Sequence, residues 1–427
     1  MTRTVQKYLR TRSVHSQFKL LGASPPGHVS AVIVIPALAE SQHLGTTLAA
    51  LAHCSTETLC RSLVICVVNN RDENHSDPSD REDNRKTLLQ LEQWAQDGYC
   101  APLTLNWIDA SSPGQCLPAG EGVGLARKIG LDHGLALLSR NDCAFGAPRY
   151  LVNLDADSHA LDGYLDALHS YYASAKRHGG YAAYAHRLEG SGQVQEAMIA
   201  YELYMRYHEL HLRWAGSPYA WPALGSIISC TADAYAAAGG MNRHCAGEDF
   251  YFMQQLRKTG TLEQIPHATI FPSGRLSSRT PFGTGPHLKS GAARRYLHHP
   301  EAYQILKEWL ALPGDNAALS PERLLLRSEE LSPLLMQFLT AKEFPRHWEK
   351  IYRQHGRGRQ LHRHFHSWFD GLRTIQWLHY FRDHGKADLL AKEAFTVLQQ
   401  RISFPEKSLQ QGNRELLETL RLWKYTG

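Results

Sequence analysis

The sequence has no uninterrupted apolar run near the ~18 residues that a membrane-spanning helix needs. An integral helical membrane protein is therefore not the expected class. The basic N-terminal stretch MTRTVQKYLRTRSVHSQFKLLG lacks an apolar core of signal-peptide length, so no secretory leader is expected there. The eight cysteines (54, 60, 66, 100, 116, 143, 230 and 245) are scattered and form no CxxC pair. They predict reduced thiols in a cytoplasmic protein, neither a disulfide framework nor a zinc site. Zinc-finger and helix-turn-helix spacings are missing, as is a basic stripe with interleaved aromatics. A formal charge of +5 suits an anionic ligand or an acidic membrane surface, but it is too weak to argue for nucleic acid.

What is present is an ordinary globular composition: 427 residues, 43% hydrophobic and 20% charged. That length suggests two or three domains, each burying its own core. Residues 1–30 read as a polar arm ending at Ser24-Pro25-Pro26-Gly27. Apolar runs at Ala31–Ile35, Leu63–Val68, Leu103–Ile108 and Tyr150–Leu154 then alternate with helical patterns over 41–53, 84–97, 121–138 and 161–176. The alternation predicts a mostly parallel sheet with helices on both faces, an α/β class. Beyond residue 296 strand signals vanish, and helical patterns such as FHSWFDGLRTIQWLHYFRDHG run onward. The expected division is an arm (1–30), an α/β domain (31–295) and an all-α C-terminal region (296–427). The last is expected to pack against the first domain or a partner subunit. A basic, aromatic-bearing helix also suits an anionic membrane surface.

In such sheets ligands bind beyond the carboxyl ends of the strands. Pro36, Asn69, Asp109 and Asp155 fall at those ends. The run RYLVNLDADS closes a strand with Asp155 and Asp157, whose side chains in an extended segment share a face and repel unless a cation or water intervenes. Mg²⁺ or Mn²⁺ between carboxylate and diphosphate oxygens would answer that repulsion. GEGVGLARKIG (120–130) places Arg127 and Lys128 near a helix start, a setting that suits phosphate. It lacks the GK[ST] ending of a P-loop. AAAGGMNRHCAGEDFYFMQQL places Glu248 and Asp249 at the start of an amphipathic helix. Helix-dipole complementarity explains acidic residues there, and near a diphosphate one of them gains a use as a general base.

Taken in order, VIPALAE, GVGLARKIG, NLDADS and GGMNRHCAGEDFYFMQQL resemble the family-2 glycosyltransferases of the GT-A fold, over roughly residues 31–275. The resemblance implies a metal-dependent enzyme that moves a sugar from a nucleoside-diphosphate sugar, UDP-sugar favoured, to an acceptor hydroxyl. By position it implies that Pro36, Ala37 and Glu40 border the nucleotide and that Arg127 approaches the base or diphosphate. Gly225 would line the donor sugar. Asp155 would hold ribose or metal, and Asp157 the Mn²⁺ or Mg²⁺. Asp249 would be the base of an inverting transfer, beside Glu248.

The chain departs from the family pattern at two places. VVNNRDEN leaves Asn69 or Asn70 where an aspartate usually reads the base. No histidine stands where a further metal ligand is usual, although His287 follows shortly. Arg275 and Arg279 would form a basic flap over the diphosphate. Tyr201, Tyr204 and Tyr207 recur at helical spacing as a candidate acceptor surface. A sugar or a lipid-linked molecule is the expected acceptor, met at the membrane surface in the lipid case. Retaining transfer, nucleotidyl transfer and a non-catalytic nucleotide-sugar scaffold are the alternatives.

Overall fold

The computed structural model describes residues 2–140, 147–174, 176–275, 296–313, 320–355, 358–405 and 407–423. The chain forms two compact units. The first comprises residues 1–190 and 223–286, the second residues 191–222 and 287–427.

The first unit holds strands β1 (Leu20–Gly22), β2 (Ala31–Ala37), β3 (Ser62–Asn69), β4 (Thr104–Ala110), β5 (Tyr150–Asn153), β6 (His159–Ala160), β7 (Gly179–Tyr184), β8 (Ile228–Thr231) and β9 (Leu262–Phe271). They form one sheet in the order β1-β4-β3-β2-β5-β8-β7-β9-β6. The longer pairings, β4 with β3, β3 with β2, β2 with β5 and β7 with β9, are parallel. The shorter ones, at β1, β6 and β8, are antiparallel. All eight residues of β3 are buried, as are Ala31–Ile35 of β2. Continuous apolar runs of this kind suit strands covered on both faces. Each fully buried Val, Leu or Ile contributes roughly 1.5–3 kcal/mol.

The helices of the unit are α1 (Arg3–Thr11), α2 (Leu44–Leu51), α3 (Thr56–Cys60), α4 (Pro78–Asp97), α5 (Val123–Arg140), α6 (Tyr164–Ser174), α8 (Ala232–Ala237) and α9 (Glu248–Thr259), while α7 (Gly192–Trp214) belongs to the second unit. Helix α5 lies unusually close to the sheet. A methyl group on Gly130 would fall 2.3 Å from Val34 Cγ1, and one on Gly134 would fall 2.8 Å from Leu151 Cδ2. Two glycines one turn apart thus set the depth of the helix that carries Arg127.

Two expectations are corrected here. Pro36 does not break its strand, since β2 continues through Ala37 in register with Val67 and Val68. Leu154 N donates to Val34 O, so Val34 turns its backbone groups toward β5. Pro36, two residues on, faces the same side beyond the end of β5, where its missing N–H leaves no ladder bond unmade. Residues 1–30 are likewise not a loose arm. Helix α1 docks on α5 and α8 through a buried carboxylate, Asp132. Asp132 accepts hydrogen bonds from Tyr8 OH (2.7 Å), Tyr235 OH (2.8 Å), Val14 N (2.8 Å) and Lys128 Nζ (2.9 Å). A charge removed from water requires partners of this number.

Among its described residues the second unit is helical apart from Tyr296–Leu297, which pairs with Leu389–Leu390 as a two-residue antiparallel ladder. Its core is aromatic, built on Tyr207, Tyr303, Trp309, Phe338, Trp348, Phe365 and Trp377. The C-terminal helix Asn413–Leu422 is tied to α7 by Arg421, whose Nε and Nη2 donate to the buried carboxylate of Glu202 at 2.9 and 2.7 Å. Among the described residues no helix is long and apolar enough to cross a membrane. On Phe344–His355 and Gly371–His384 the side chains of Trp348, Trp377 and Phe381 are buried in this core.

Candidate active site

The site forms at the carboxyl ends of β2, β3 and β5, where α5 and α9 begin. At the N-terminus of α5 a methyl group on Gly124 would lie 2.4 Å from His244 O. The helix start therefore presses on the loop that leads into α9. Gly247 precedes α9 with φ +71°, a left-handed conformation that glycine adopts freely. Asn242 Nδ2 donates to Glu248 O at 2.8 Å and fixes the turn.

Arg127, 3% exposed, is the centre of the cluster. Its Nε donates to Glu248 Oε1 at 3.0 Å and its Nη2 to Asp155 Oδ1 at 2.5 Å. Nη1 is buried with no hydrogen-bond partner among the described residues. Burial opposes the guanidinium charge, but the Asp155 and Glu248 carboxylates outweigh it and raise the pKa. Gly225 makes room for this arginine, because a methyl group there would lie 2.1 Å from Nη2. Three other residues expected at the site, Asp155, Glu248 and Gly225, thus converge on Arg127.

Burial, with the neighbouring Asp249 charge, pushes Glu248 up to about 7, and Arg127 offsets only part of that. Asp249 is raised too, by burial and by the Asp155 charge, while the Phe250 N–H, 2.7 Å from Oδ1, pulls the other way. A carboxyl group with a raised pKa beside a cation is the equipment of a general base.

Asp155 and Asp157 lie in a turn after β5, not in the extended segment expected from the sequence. Each has its own cation. Asp157 Oδ2 meets Arg275 Nε at 2.9 Å, and the other arm of Arg275 reaches Glu40, which is buried. The turn is pinned by Thr47 Oγ1 donating to Ala156 O at 2.7 Å. Pro36 is half-buried and Ala37 buried at the end of β2. Asn69 and Asn70 are buried at the end of β3. The side chain of Asn70 is engaged with Arg71 O, Ser111 O and Asn84. Arg279 and His287 lie outside the described residues. In the second unit Tyr207 is fully buried and its OH donates to His298 O, which removes it from any acceptor surface. Tyr201 and Tyr204 are half-buried.

The carboxylates of Glu40, Asp155, Asp157 and Glu248 thus meet the guanidiniums of Arg127 and Arg275, and Asp249 stands beside Glu248. A diphosphate entering this field would be repelled unless a cation accompanied it. Asp155 and Asp157 are oxygen donors of the kind Mg²⁺ and Mn²⁺ take, one or two carboxylates being usual when phosphates and water fill the other positions. The donor chemistry fits such an ion. Among the described residues no group of three or more His, Cys, Asp or Glu side chains is arranged for a metal.

Two contributors, Asn84 and Arg187, escaped the sequence reading. Asn84, buried on α4, donates to Asn69 O (3.0 Å) and Asn70 Oδ1 (2.7 Å) and accepts from Ala39 N (2.9 Å). It ties the ends of β2 and β3 together and holds Ala39 at φ +53°, a conformation that costs a non-glycine residue about 1–2 kcal/mol. Arg187 donates to Asp157 O at 2.9 Å. Lys128, expected near phosphate, is instead buried against Asp132 and Tyr8 OH.

No family model and no curated protein matches the chain. Among solved structures it is similar to S. aureus TarS 1–349 in complex with UDP-GlcNAc, at 11% identity and TM-score 0.39, over 92% of this chain and 90% of that one. It is also similar to the mannosyltransferase PcManGT from Pyrobaculum calidifontis in complex with GDP-Man and Mn²⁺, at 13% identity and TM-score 0.36, over 86% and 93%. Likenesses this weak carry no argument about activity, ligand or metal.

Proposed function

We propose that the first unit is the catalytic domain of a glycosyltransferase that moves a sugar from a nucleoside-diphosphate sugar to an acceptor hydroxyl with inversion. One observation carries the reading: buried Arg127 gathers half-buried Asp155 from the DAD turn and buried Glu248 from the GED helix into one cluster at the strand ends. The resemblance of the same segments to family-2 glycosyltransferases supports it.

In this account the nucleotide lies along the ends of β2 and β3, bordered by Pro36, Ala37, Glu40 and Asn69. Asp155 and Asp157 would hold Mn²⁺ or Mg²⁺, which when bound supplies positive charge to a departing diphosphate. Arg127 orients Asp155 and Glu248 and adds a fixed cation in a water-poor place, where it acts most strongly. Asp249 takes the proton of the acceptor hydroxyl. The acceptor oxygen forms its bond to the anomeric carbon as the bond to diphosphate breaks, and the nucleoside diphosphate leaves with the electron pair. Glu248 keeps its oxygen on Arg127 and shapes the wall beside the acceptor.

The test is release of nucleoside diphosphate by wild type and by Asp249→Asn across a panel of sugar nucleotides and acceptors. Loss of release in the variant, with donor binding kept and an inverted product from wild type, supports the proposal. Release of pyrophosphate would make the protein a nucleotidyltransferase, and turnover by Asp249→Asn at the wild-type rate would remove Asp249 as the base.

A further inference from the structure

Arg275 stands at the end of a segment held firmly in place. Arg187 N donates to Pro272 O at 3.0 Å, and Glu189 Oε2 accepts from Ser273 Oγ at 2.9 Å and from Gly274 N at 3.3 Å. A methyl group on Gly274 would lie 2.2 Å from Arg187 O, so the segment touches its support backbone to backbone. From this mount the guanidinium spans two carboxylates on separate loops, Glu40 after β2 and Asp157 after β5. The carboxylates of Asp157 and Glu40 raise the Arg275 pKa despite its burial, so the cation remains charged at any working pH.

A guanidinium that holds Asp157 occupies an oxygen that a divalent ion would use. We infer that Arg275 is an internal competitor for Asp157: in the donor-free protein it keeps the carboxylate from a divalent ion, and the ion binds well only when a diphosphate draws Arg275 away. The inference rests on the reading of Asp157 as a ligand for the ion that accompanies the donor. The competition has a physical basis, since two cations sharing one carboxylate repel, and the pair already formed must be broken before the newcomer gains its bond. A diphosphate reverses the balance by offering Arg275 a bidentate anionic partner. Binding is then ordered, with the ion entering together with the nucleotide and seldom before it.

The experiment is a titration of the nucleotide-free full chain with Mn²⁺, with free ion followed by electron paramagnetic resonance. Wild type is expected to bind weakly, and Arg275→Gln at least tenfold more tightly. Gly274→Ala, which shifts the mount without removing a charge, is expected to bind more tightly as well. In Arg275→Gln/Asp157→Asn the gain should vanish. Equal affinity in wild type and Arg275→Gln, or a gain that survives in the double variant, overturns the inference. These titrations contain no nucleotide, so such a failure leaves the donor-site reading standing, and nucleotide titrations test that reading separately.

Discussion

Glu248→Gln is the perturbation whose consequence follows most directly from the geometry. Glu248 is 5% exposed, and its pKa is pushed from 4.5 up to about 7, chiefly by burial and then by Asp249. Below pH 4.5 it is protonated whether the chain is folded or not, and it costs nothing. Above about 7 it is ionised in both states, and the folded protein bears the whole cost of a charge held in a poor place. A rise from 4.5 to about 7 corresponds to on the order of 3 kcal/mol. Because the folded state binds the extra proton, this contribution lowers stability as pH rises between those values. Glutamine keeps the shape and can still accept from Arg127, but it does not titrate. The stability of the variant relative to wild type should therefore climb between pH 4.5 and 7.5 by on the order of 3 kcal/mol and level off above. Urea unfolding of both proteins at half-unit steps, read by tryptophan fluorescence, measures it. A difference that stays flat across this range would refute the reasoning, because it would mean that Glu248 is not held above its ordinary pKa.

Other outcomes follow from single contacts. Tyr8→Phe removes a buried hydroxyl that donates to Asp132 and accepts from Lys128, and it should cost about 1–3 kcal/mol in urea unfolding. Gly225→Ala drives a methyl group into Arg127 and should weaken nucleoside-diphosphate binding tenfold or more by calorimetry, while far-ultraviolet circular dichroism is unchanged. Asn84→Ala frees the loop around Ala39 and removes the tie between the ends of β2 and β3, so it should raise the KM for donor more than it lowers kcat.

The strands were the most legible part of the chain. VIVI, LVICVV and the run through Tyr150 and Val152 are apolar enough to announce buried strands, and each of the four expected spans differs from the observed strand by no more than two residues at either end. Helix starts were less legible. The helix expected from residue 84 begins at Pro78, where Asp77 caps it by accepting from Ser79 N, and the polar first turns of α4 hid that start. In GEGVGLARKIG the cations near a helix start suited phosphate, while Gly124 and Gly130 answer to His244 O and Val34, which no local pattern reveals. Lys128 was misread for the same reason, since its partners lie 120 residues away at Tyr8 and on the next turn at Asp132. The pairing of Arg127 with both Asp155 and Glu248 was visible only as three motifs in order. Their contact required the fold. Arg187 and Asn84 carried no motif at all, because a side chain that braces a loop through backbone atoms leaves no signature of residue type.

The central claim is that the cluster around Arg127, Asp155 and Asp157 receives the diphosphate of a nucleotide with a divalent ion. Calorimetric titration of the full chain with UDP, GDP and CDP, each with and without Mn²⁺, beside Asp157→Ala, tests it most directly. The account predicts metal-dependent binding of at least one nucleotide by wild type and its loss in Asp157→Ala. Binding of no nucleotide in either condition, or metal-dependent binding that Asp157→Ala leaves unchanged, would contradict it.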